Sequence, residues 1–215
     1  MPVLVEPCRA TGFLRALDQP RLDVDDQLSL RPWRAGDAEV VRAAFDSPDI
    51  QRWHVRRLDS LDEARAWIAM WTTRWHDETD ASWAIVDNRA DRPVGQVGLR
   101  VISLSGGAAQ VSYWVLPDAR GAGVAVRATR AMTEWTLDVL GLHRVSLEHS
   151  TANLASCRVA TKLGFAVEGT LRGSALHVDG WHDMHVHSRL RTDQYGRAGS
   201  RAAAQGAGVR GSRLP

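Results

Sequence analysis

Two glycines in a short turn, Gly121 and Gly123, are the residues whose type and spacing most directly suggest ligand chemistry. They follow an apolar segment that ends at Pro117 and precede a segment with helical periodicity. Glycine has no Cβ, so the backbone can turn tightly there and approach a ligand closely. The first amides of a helix lack intrahelical partners and lie at the positive end of its dipole, which suits a pyrophosphate. A plain turn before a helix explains the same pattern, so the glycines alone do not decide.

Two common phosphate-binding motifs are excluded by the residues around this turn. The Gly-Lys-Ser/Thr sequence of a Walker-type loop does not follow it. A third glycine at the spacing of a dinucleotide-binding fold is also missing.

The chain resembles the GNAT (general N-acetyltransferase) superfamily over roughly residues 28–190. Four motifs, in the order and at the spacing of that family, carry the resemblance: Arg120-x-x-Gly123-x-Ala125, Asn153-x-x-Ser156, Lys162-Leu163-Gly164-Phe165 with Glu168-Gly169, and Gly180-Trp181-His182-Asp183. The first fits the acetyl-CoA signature Gln/Arg-x-x-Gly-x-Gly/Ala. The last leads into the final strand as in the ribosomal-protein N-terminal acetyltransferase (Rim) branch.

The resemblance implies that acetyl-CoA is the acyl donor and that its pantetheine arm pairs with strand backbone around Trp114 and Val115. The residues expected to bind the donor are Trp114, Val115, Arg120, Gly121, Ala122, Gly123, Val124, Ala125, Asn153 and Ser156. Asn153 is equally suited to be an ordinary N-cap, and the two roles are compatible.

The reaction implied by the resemblance is direct attack of a neutral amine on the thioester carbonyl. A backbone N–H, for which Val115 is suggested, would polarise the carbonyl. Ser156 occupies the position of the thiolate acid in the Rim branch and is the expected catalytic residue. Many relatives use a tyrosine four residues later, where this chain has Ala160. A plain helix-surface serine remains the alternative reading of Ser156.

The general base has no assignment from the sequence. Relatives often carry a glutamate on the central strand where this chain has Gln110, whose amide cannot accept a proton at neutral pH. The substitutes considered are His54, Glu148, His149 and Asp183. A chain of water molecules is the other route.

Three functions therefore stand beside one another. The first is N-acetylation of a primary amine, either a protein N-terminal α-amine or a small molecule. The second is non-catalytic binding or sensing of an acyl-CoA, suggested by Gln110 and Ala160 at proton-handling positions. The third keeps the fold and uses another donor such as succinyl-CoA.

The elements that must position these residues follow from periodicity, which predicts the order β-α-α-β-β-β-α-β-α-β-β. The family implies a mixed, mostly antiparallel sheet with a splayed strand pair and flanking helices. Ser60 and Glu63 form a capping box for a helix that begins at Leu61. Its tryptophan stripe at 67, 71 and 75 is expected to be core. The tryptophan, histidine and arginines at 53, 54, 56 and 57 are expected to form an acceptor-side loop.

Composition and charge restrict the number of domains, the binding partners and the cellular compartment. The 215 residues suit one domain, and a net charge of +2 does not favour nucleic acid or an acidic membrane. Cys8 and Cys157 share no metal-ligand spacing, so we expect a reduced, cytoplasmic protein without disulfides or a metal, and no membrane span. A homodimer is the protein assembly that the family suggests.

The chain is divided by its composition into three parts. Residues 1–27 are expected to be an N-terminal extension, either loose or packed on the domain. Residues 28–193 form the predicted N-acetyltransferase domain. Residues 194–215 are rich in Gly, Ala and Arg and are expected to be a disordered basic tail.

Overall fold

One eight-stranded sheet organises the protein, whose computed structural model describes residues 4–193. The spatial order of the strands is β1-β2-β3-β4-β5-β6-β8-β7. The strands are β1 (Leu22–Asp23), β2 (Leu28–Pro32), β3 (Ala81–Asp87), β4 (Arg92–Ser103), β5 (Ala108–Val115), β6 (Arg144–Ser150), β7 (Ala166–His177) and β8 (Gly180–Leu190). The β5–β6 pair is parallel, and the other neighbouring pairs are antiparallel.

Five α-helices within the described residues flank this sheet, which confirms the expected fold class. They are α1 (Ala38–Asp46), α2 (Pro48–His54), α3 (Leu61–His76), α4 (Val124–Glu134) and α5 (Leu154–Lys162). Within residues 4–193, none of the helices is long and apolar enough to cross a membrane.

The predicted element order was wrong in two places, since it lacked β1 and α2. Both elements are short, with two residues in β1 and seven in α2, so the hydrophobic pattern is too brief to repeat. Pro48 stands in the first turn of α2, and Val55 ends the helix in a left-handed conformation (φ 49°). Trp53 and His54, expected in a loop, are the last two residues of this helix.

The helix predicted after the glycine turn is also interrupted. The α-helical part ends at Glu134, and Trp135–Val139 continue it as one wider π-helical turn. The prediction of its start was accurate, because α4 begins directly after Gly123.

The tryptophan stripe of α3 is core, as predicted. Trp67 and Trp71 belong to a cluster formed by α1, α2, α3 and the Trp114 side chain. Trp75 instead joins the larger cluster that lies under the sheet and contains Trp83. The sheet therefore has a separate packed layer on the side where α1–α3 cover β5.

The N-terminal segment packs on the sheet from Cys8 onward, which answers a question that the sequence left open. Leu14 is completely buried in the larger core cluster. Backbone N–H groups of Gly12, Leu14 and Arg15 donate to the buried Glu78 carboxylate. Burial raises the pKa of Glu78, but the three donated hydrogen bonds outweigh it and the net pKa is lowered. The predicted disordered tail, residues 194–215, lies outside the described residues.

The β5–β6 pair has two unlike halves. Residues Ala108 to Val111 of β5 pair with Arg144 to Leu147 of β6, and we call this region the closed half. Beyond it, residues 112–115 of β5 and 148–150 of β6 continue as strands but are not paired with each other. We call this region the open half, and it is the splayed pair that the family resemblance implies.

Candidate active site

A cavity of about 360 Å³ lies at the open half. Its walls are α2, the open half of β5, the turn before α4 and the first two turns of α5. Six of the ten residues expected to bind the donor line it: Trp114, Val115, Arg120, Ala125, Asn153 and Ser156. The other four occupy the turn and the first position of α4, outside the lining of this cavity: Gly121, Ala122, Gly123 and Val124.

The turn before α4 requires glycine for its backbone conformation. Gly121 and Gly123 have φ angles of +86° and +72°, in the left-handed region that disfavours residues with a Cβ. Among residues 4–193, no atom would lie within 4 Å of a Cβ added at either position. Gly123 is the N-cap of α4 and has no side chain to bond the helix amides, so they stay available to an anionic ligand.

The backbone of the open half of β5 directs its polar groups into the gap at alternate residues. The Tyr113 carbonyl accepts a hydrogen bond from His54 Nε2 (3.0 Å), and the Val115 carbonyl accepts one from Arg120 Nε (3.1 Å). Since the N–H and C=O of one strand residue point the same way, the amides of Tyr113 and Val115 also face the gap. The Leu116 N–H donates to the Val94 carbonyl of β4 (2.9 Å), so by alternation the backbone of Trp114, two residues earlier, also faces β4 and not the gap. The geometry favours Val115 over Trp114 as the backbone partner of a ligand.

Ser156 is held at the junction of two cavities. The Tyr113 hydroxyl donates to Ser156 Oγ (2.9 Å), which leaves the serine O–H free to donate elsewhere. Burial raises the pKa of Tyr113 to about 12, although its hydrogen bond to Ser156 acts in the opposite direction. Asn153 Oδ1 accepts from the Ser156 backbone N–H (3.1 Å), so Asn153 caps α5 and also lines the cavity.

A second cavity of about 260 Å³ adjoins the first and shares Tyr113 and Ser156 with it. Gln110, Glu148 and His149 line this second cavity. Asp183, another substitute considered for the base, is exposed, and its Oδ1 accepts from the Gly173 N–H (2.8 Å). Asp183 lies outside the lining of both cavities.

His54 is a neutral imidazole on the wall that the two cavities share. Its Nε2 carries a hydrogen, because the partner is the Tyr113 carbonyl. Burial lowers the pKa of His54 to about 4, and the hydrogen bond to Tyr113 offsets only part of this effect. Such a weak base keeps its lone pair on Nδ1 at neutral pH but binds a proton poorly.

A serine–histidine–aspartate chain, which the sequence analysis missed, reaches the second cavity. Ser150 Oγ lies 2.6 Å from His182 Nδ1, and His182 Nε2 lies 2.9 Å from Asp179 Oδ1. Because Nε2 donates to the carboxylate, Nδ1 accepts from the serine O–H. Ser150 Oγ also accepts from the Ala152 N–H (3.1 Å) and keeps a second lone pair. The motif at 180–183 contained His182, but Ser150 carried no signal in the sequence.

The family model described as "Acetyltransferase (GNAT) domain" matches residues 27–166. The chain belongs to this family. An uncharacterized N-acetyltransferase, YoaA of Bacillus subtilis, is 25% identical to this GNAT protein over 77% of this chain and 94% of its own.

Two solved structures show the same fold. The ribosomal-protein-S5-alanine acetyltransferase of Vibrio fischeri has a TM-score of 0.74, 19% identity, and coverage of 81% of this chain and 98% of its own. RimL, a ribosomal L7/L12 alpha-N-protein acetyltransferase solved with coenzyme A, has a TM-score of 0.72 and 18% identity. The match covers 80% of this chain and 98% of RimL. These two matches confirm the fold that the resemblance implied.

The acceptor-side aromatic residues of this GNAT protein differ from one another in exposure. Trp53 is half-buried at the end of α2, where its ring contacts the rings of His177 and His182 edge-on. The Arg52 guanidinium lies 4.7 Å from the centre of the Trp53 ring. Trp181 is 69% exposed, so it does not pack in the core.

Proposed function

We propose that this GNAT protein transfers an acetyl group from acetyl-CoA to a primary amine by direct attack within a ternary complex. The observation that carries the proposal is the open half of β5, where amide groups and Ser156 border one cavity beside the α4 turn. No metal takes part in the transfer step of this proposal. The acceptor is a protein N-terminal α-amine or a small-molecule amine, and the place of action is the cytoplasm.

The donor is bound at two places in this proposal. The pyrophosphate lies against the amides of residues 121–125, where the helix dipole of α4 adds partial positive charge. The pantetheine arm lies in the gap and pairs with the backbone of Val115, whose carbonyl is already oriented by Arg120. The Arg120 side chain is itself fixed by Asp49 on α2 at 2.8 Å, which ties the helix to the turn.

Two proton transfers accompany the reaction: the attacking amine loses a proton and the departing thiolate gains one. As the amine attacks the thioester carbon, its proton passes to Ser150 Oγ while the Ser150 proton passes to His182 Nδ1. Asp179 stabilises the imidazolium that results, as the carboxylate does in a catalytic triad. When the carbon–sulfur bond breaks, the Ser156 O–H donates a proton to the thiolate and takes one from the Tyr113 hydroxyl. Solvent then reprotonates Tyr113 and accepts the proton held by His182, so both groups return to their starting states.

Calorimetric titration of the full chain with acetyl-CoA, free CoA and succinyl-CoA tests the donor. We expect saturable binding of acetyl-CoA that is lost in Gly123→Val, because a branched side chain is strained at a φ of +72°. Gly36→Ala is the matched control, since Gly36 has open space and no positive φ. No binding of any acyl-CoA by the folded protein would remove the donor and with it the proposed reaction.

Ser156→Ala separates the enzyme from an acyl-CoA sensor, the alternative favoured by Gln110 and Ala160. For the enzyme we expect kcat to fall by about tenfold or more while the acetyl-CoA affinity stays within about twofold. A panel of ribosomal-protein N-terminal peptides and polyamines supplies the acceptors. A wild-type protein that binds acetyl-CoA but releases no CoA with any acceptor would support the sensor.

A further inference from the structure

Three histidines and one cysteine converge beside the open half of the sheet. They come from β6 (His149), α5 (Cys157) and β8 (His185 and His187), and their ligand atoms all lie within 4.8 Å of one another. We propose that these four side chains bind a divalent transition-metal ion of the zinc class. None of the four side chains takes part in the proton transfers proposed above.

Strand register explains why the histidines meet. His149 on β6 is paired directly with His185 on β8, so their side chains lie on one face of the sheet. His187 is two residues further along β8 and therefore shares that face. Cys157 in α5 brings its thiol against the same face from the helix above it. The sequence spacing did not reveal the cluster, because its members come from three separate elements.

One histidine already has the tautomer that metal binding needs. His149 Nδ1 lies 2.8 Å from the Ser150 backbone carbonyl, so this nitrogen carries the hydrogen. Its Nε2 is then the unprotonated nitrogen, and it points at His187 Nε2 at a distance of 3.1 Å. A backbone carbonyl that fixes the far ring nitrogen is the usual outer partner of a metal-binding histidine.

The spacing and donor types suit zinc. Tetrahedral zinc with nitrogen and sulfur ligands requires donor-to-donor separations of roughly 3.3–3.6 Å, so small side-chain movements would close the cluster. Three imidazoles and a thiol are borderline-soft donors, which select zinc over calcium or magnesium. Cys157 and His185 are half-buried, which leaves an ion a route from the surface, whereas His149 and His187 are buried.

The position of the cluster gives the ion a structural role. His149 lies in the open half, where β6 has lost its pairing with β5. Cys157 directly follows Ser156 in α5. An ion shared by β6, β8 and α5 would hold α5 against the open half and so fix Ser156 and Asn153 relative to the gap.

Cobalt titration of the untagged, reduced, metal-free full chain tests the site. Co²⁺ bound by one thiolate and three imidazoles gives intense visible ligand-field bands and a near-ultraviolet thiolate charge-transfer band. We expect both to appear at one equivalent and to vanish when Zn²⁺ is added. Cys157→Ser should lose the charge-transfer band, whereas Cys8→Ser, the matched cysteine control, should keep it.

Thermal unfolding supplies a second readout with a different variant. Zn²⁺ should raise the Tm of the wild type and of His143→Gln, an exposed-histidine control, but not that of His185→Gln. Each apo variant must match the apo wild type in its circular dichroism spectrum. A cobalt spectrum without charge transfer in the wild type, or one retained in Cys157→Ser, would overturn the proposal, as would equal zinc stabilisation of His185→Gln.

Discussion

The closed and open halves of the β5–β6 pair differ in what satisfies their backbone. In the closed half, strand pairs with strand, and the N-terminal segment covers its end. Cys8 N–H donates to the Ser105 carbonyl (3.0 Å), and Arg9 Nε donates to the Leu140 carbonyl (2.7 Å). The backbone N–H and C=O groups of the closed half are therefore hydrogen-bonded within the protein and are not available to a ligand.

In the open half, side chains from distant elements form the hydrogen bonds to the β5 carbonyls in place of a neighbouring strand. His54 from α2 and Arg120 from the turn bond to β5 carbonyls, and the neighbouring amides are left facing the gap. One strand thus serves stability over its first half and ligand binding over its second. This difference predicts that substitutions in the two halves have separable effects.

His182→Gln is expected to produce the largest effect on activity. Glutamine cannot relay a proton, so the chain from Ser150 to Asp179 is broken, and kcat should fall by about 10²- to 10⁴-fold. The acetyl-CoA affinity should change little, because His182 lies on the acceptor side of the open half. Steady-state kinetics with a saturating amine measure this change.

His143→Gln is the control for that substitution, since His143 is exposed at the start of β6 in the closed half. Its kcat should equal that of the wild type. If His182→Gln retained full kcat, the relay would carry no proton, and the base would have to be sought among the imidazoles that line the second cavity, His54, His149 and His177.

Leu14→Ala should give the converse result. Leu14 is 0% exposed in the core cluster that backs the sheet, so truncation should lower the free energy of unfolding by about 2–5 kcal/mol. The acetyl-CoA affinity of the folded variant should be unchanged, because the open half is not touched. Urea unfolding and calorimetry at a temperature where both proteins are folded measure the two quantities.

Leu17→Ala is the matched control, because Leu17 is 47% exposed and loses little buried area on truncation. Its unfolding free energy should stay within about 0.5 kcal/mol of the wild type. A large loss of acetyl-CoA affinity in Leu14→Ala would show that the N-terminal segment also shapes the open half.

The sequence predicted the parts of the fold that depend on local pattern. Ser60 set the start of α3, where its Oγ accepts from the Glu63 N–H (3.1 Å). The predicted capping box is only half formed, because the Glu63 carboxylate accepts from the Asp59 N–H (2.7 Å) instead of the Ser60 N–H. Gly123 likewise marked the start of α4. Alternation within each long strand was sufficient for the sheet, and the family resemblance supplied the splayed pair.

Contacts between segments that are distant in the chain could not be predicted from the sequence. No local sequence pattern predicts the contact of Ser150 with His182 or that of His149 with Cys157, because strand register and helix placement decide both. The short α2 was missed for the same reason, since packing rather than periodicity holds it. His54 therefore acquired its place on the cavity wall from tertiary structure alone.

Burial of His54 in the open half makes the free energy of unfolding depend on pH. Burial lowers the His54 pKa from 6.5 to about 4, with smaller contributions from Arg100 and Arg56 in the same direction. Between these values the unfolded chain binds a proton that the folded protein does not. Stability is therefore full above pH 6.5 and falls as the pH drops toward 4, by about 3 kcal/mol in total.

His54→Gln should flatten this dependence, since glutamine can keep an N–H donor for the Tyr113 carbonyl but does not titrate. Between pH 7 and pH 5 the wild type should lose about 2 kcal/mol more unfolding free energy than the variant. Urea unfolding at the two pH values measures the difference, and His143→Gln should behave as the wild type does. Equal losses in wild type and His54→Gln would mean that His54 titrates normally. In that case the lone pair on His54 would be basic enough to take the amine proton, and His54 rather than His182 would be the expected base.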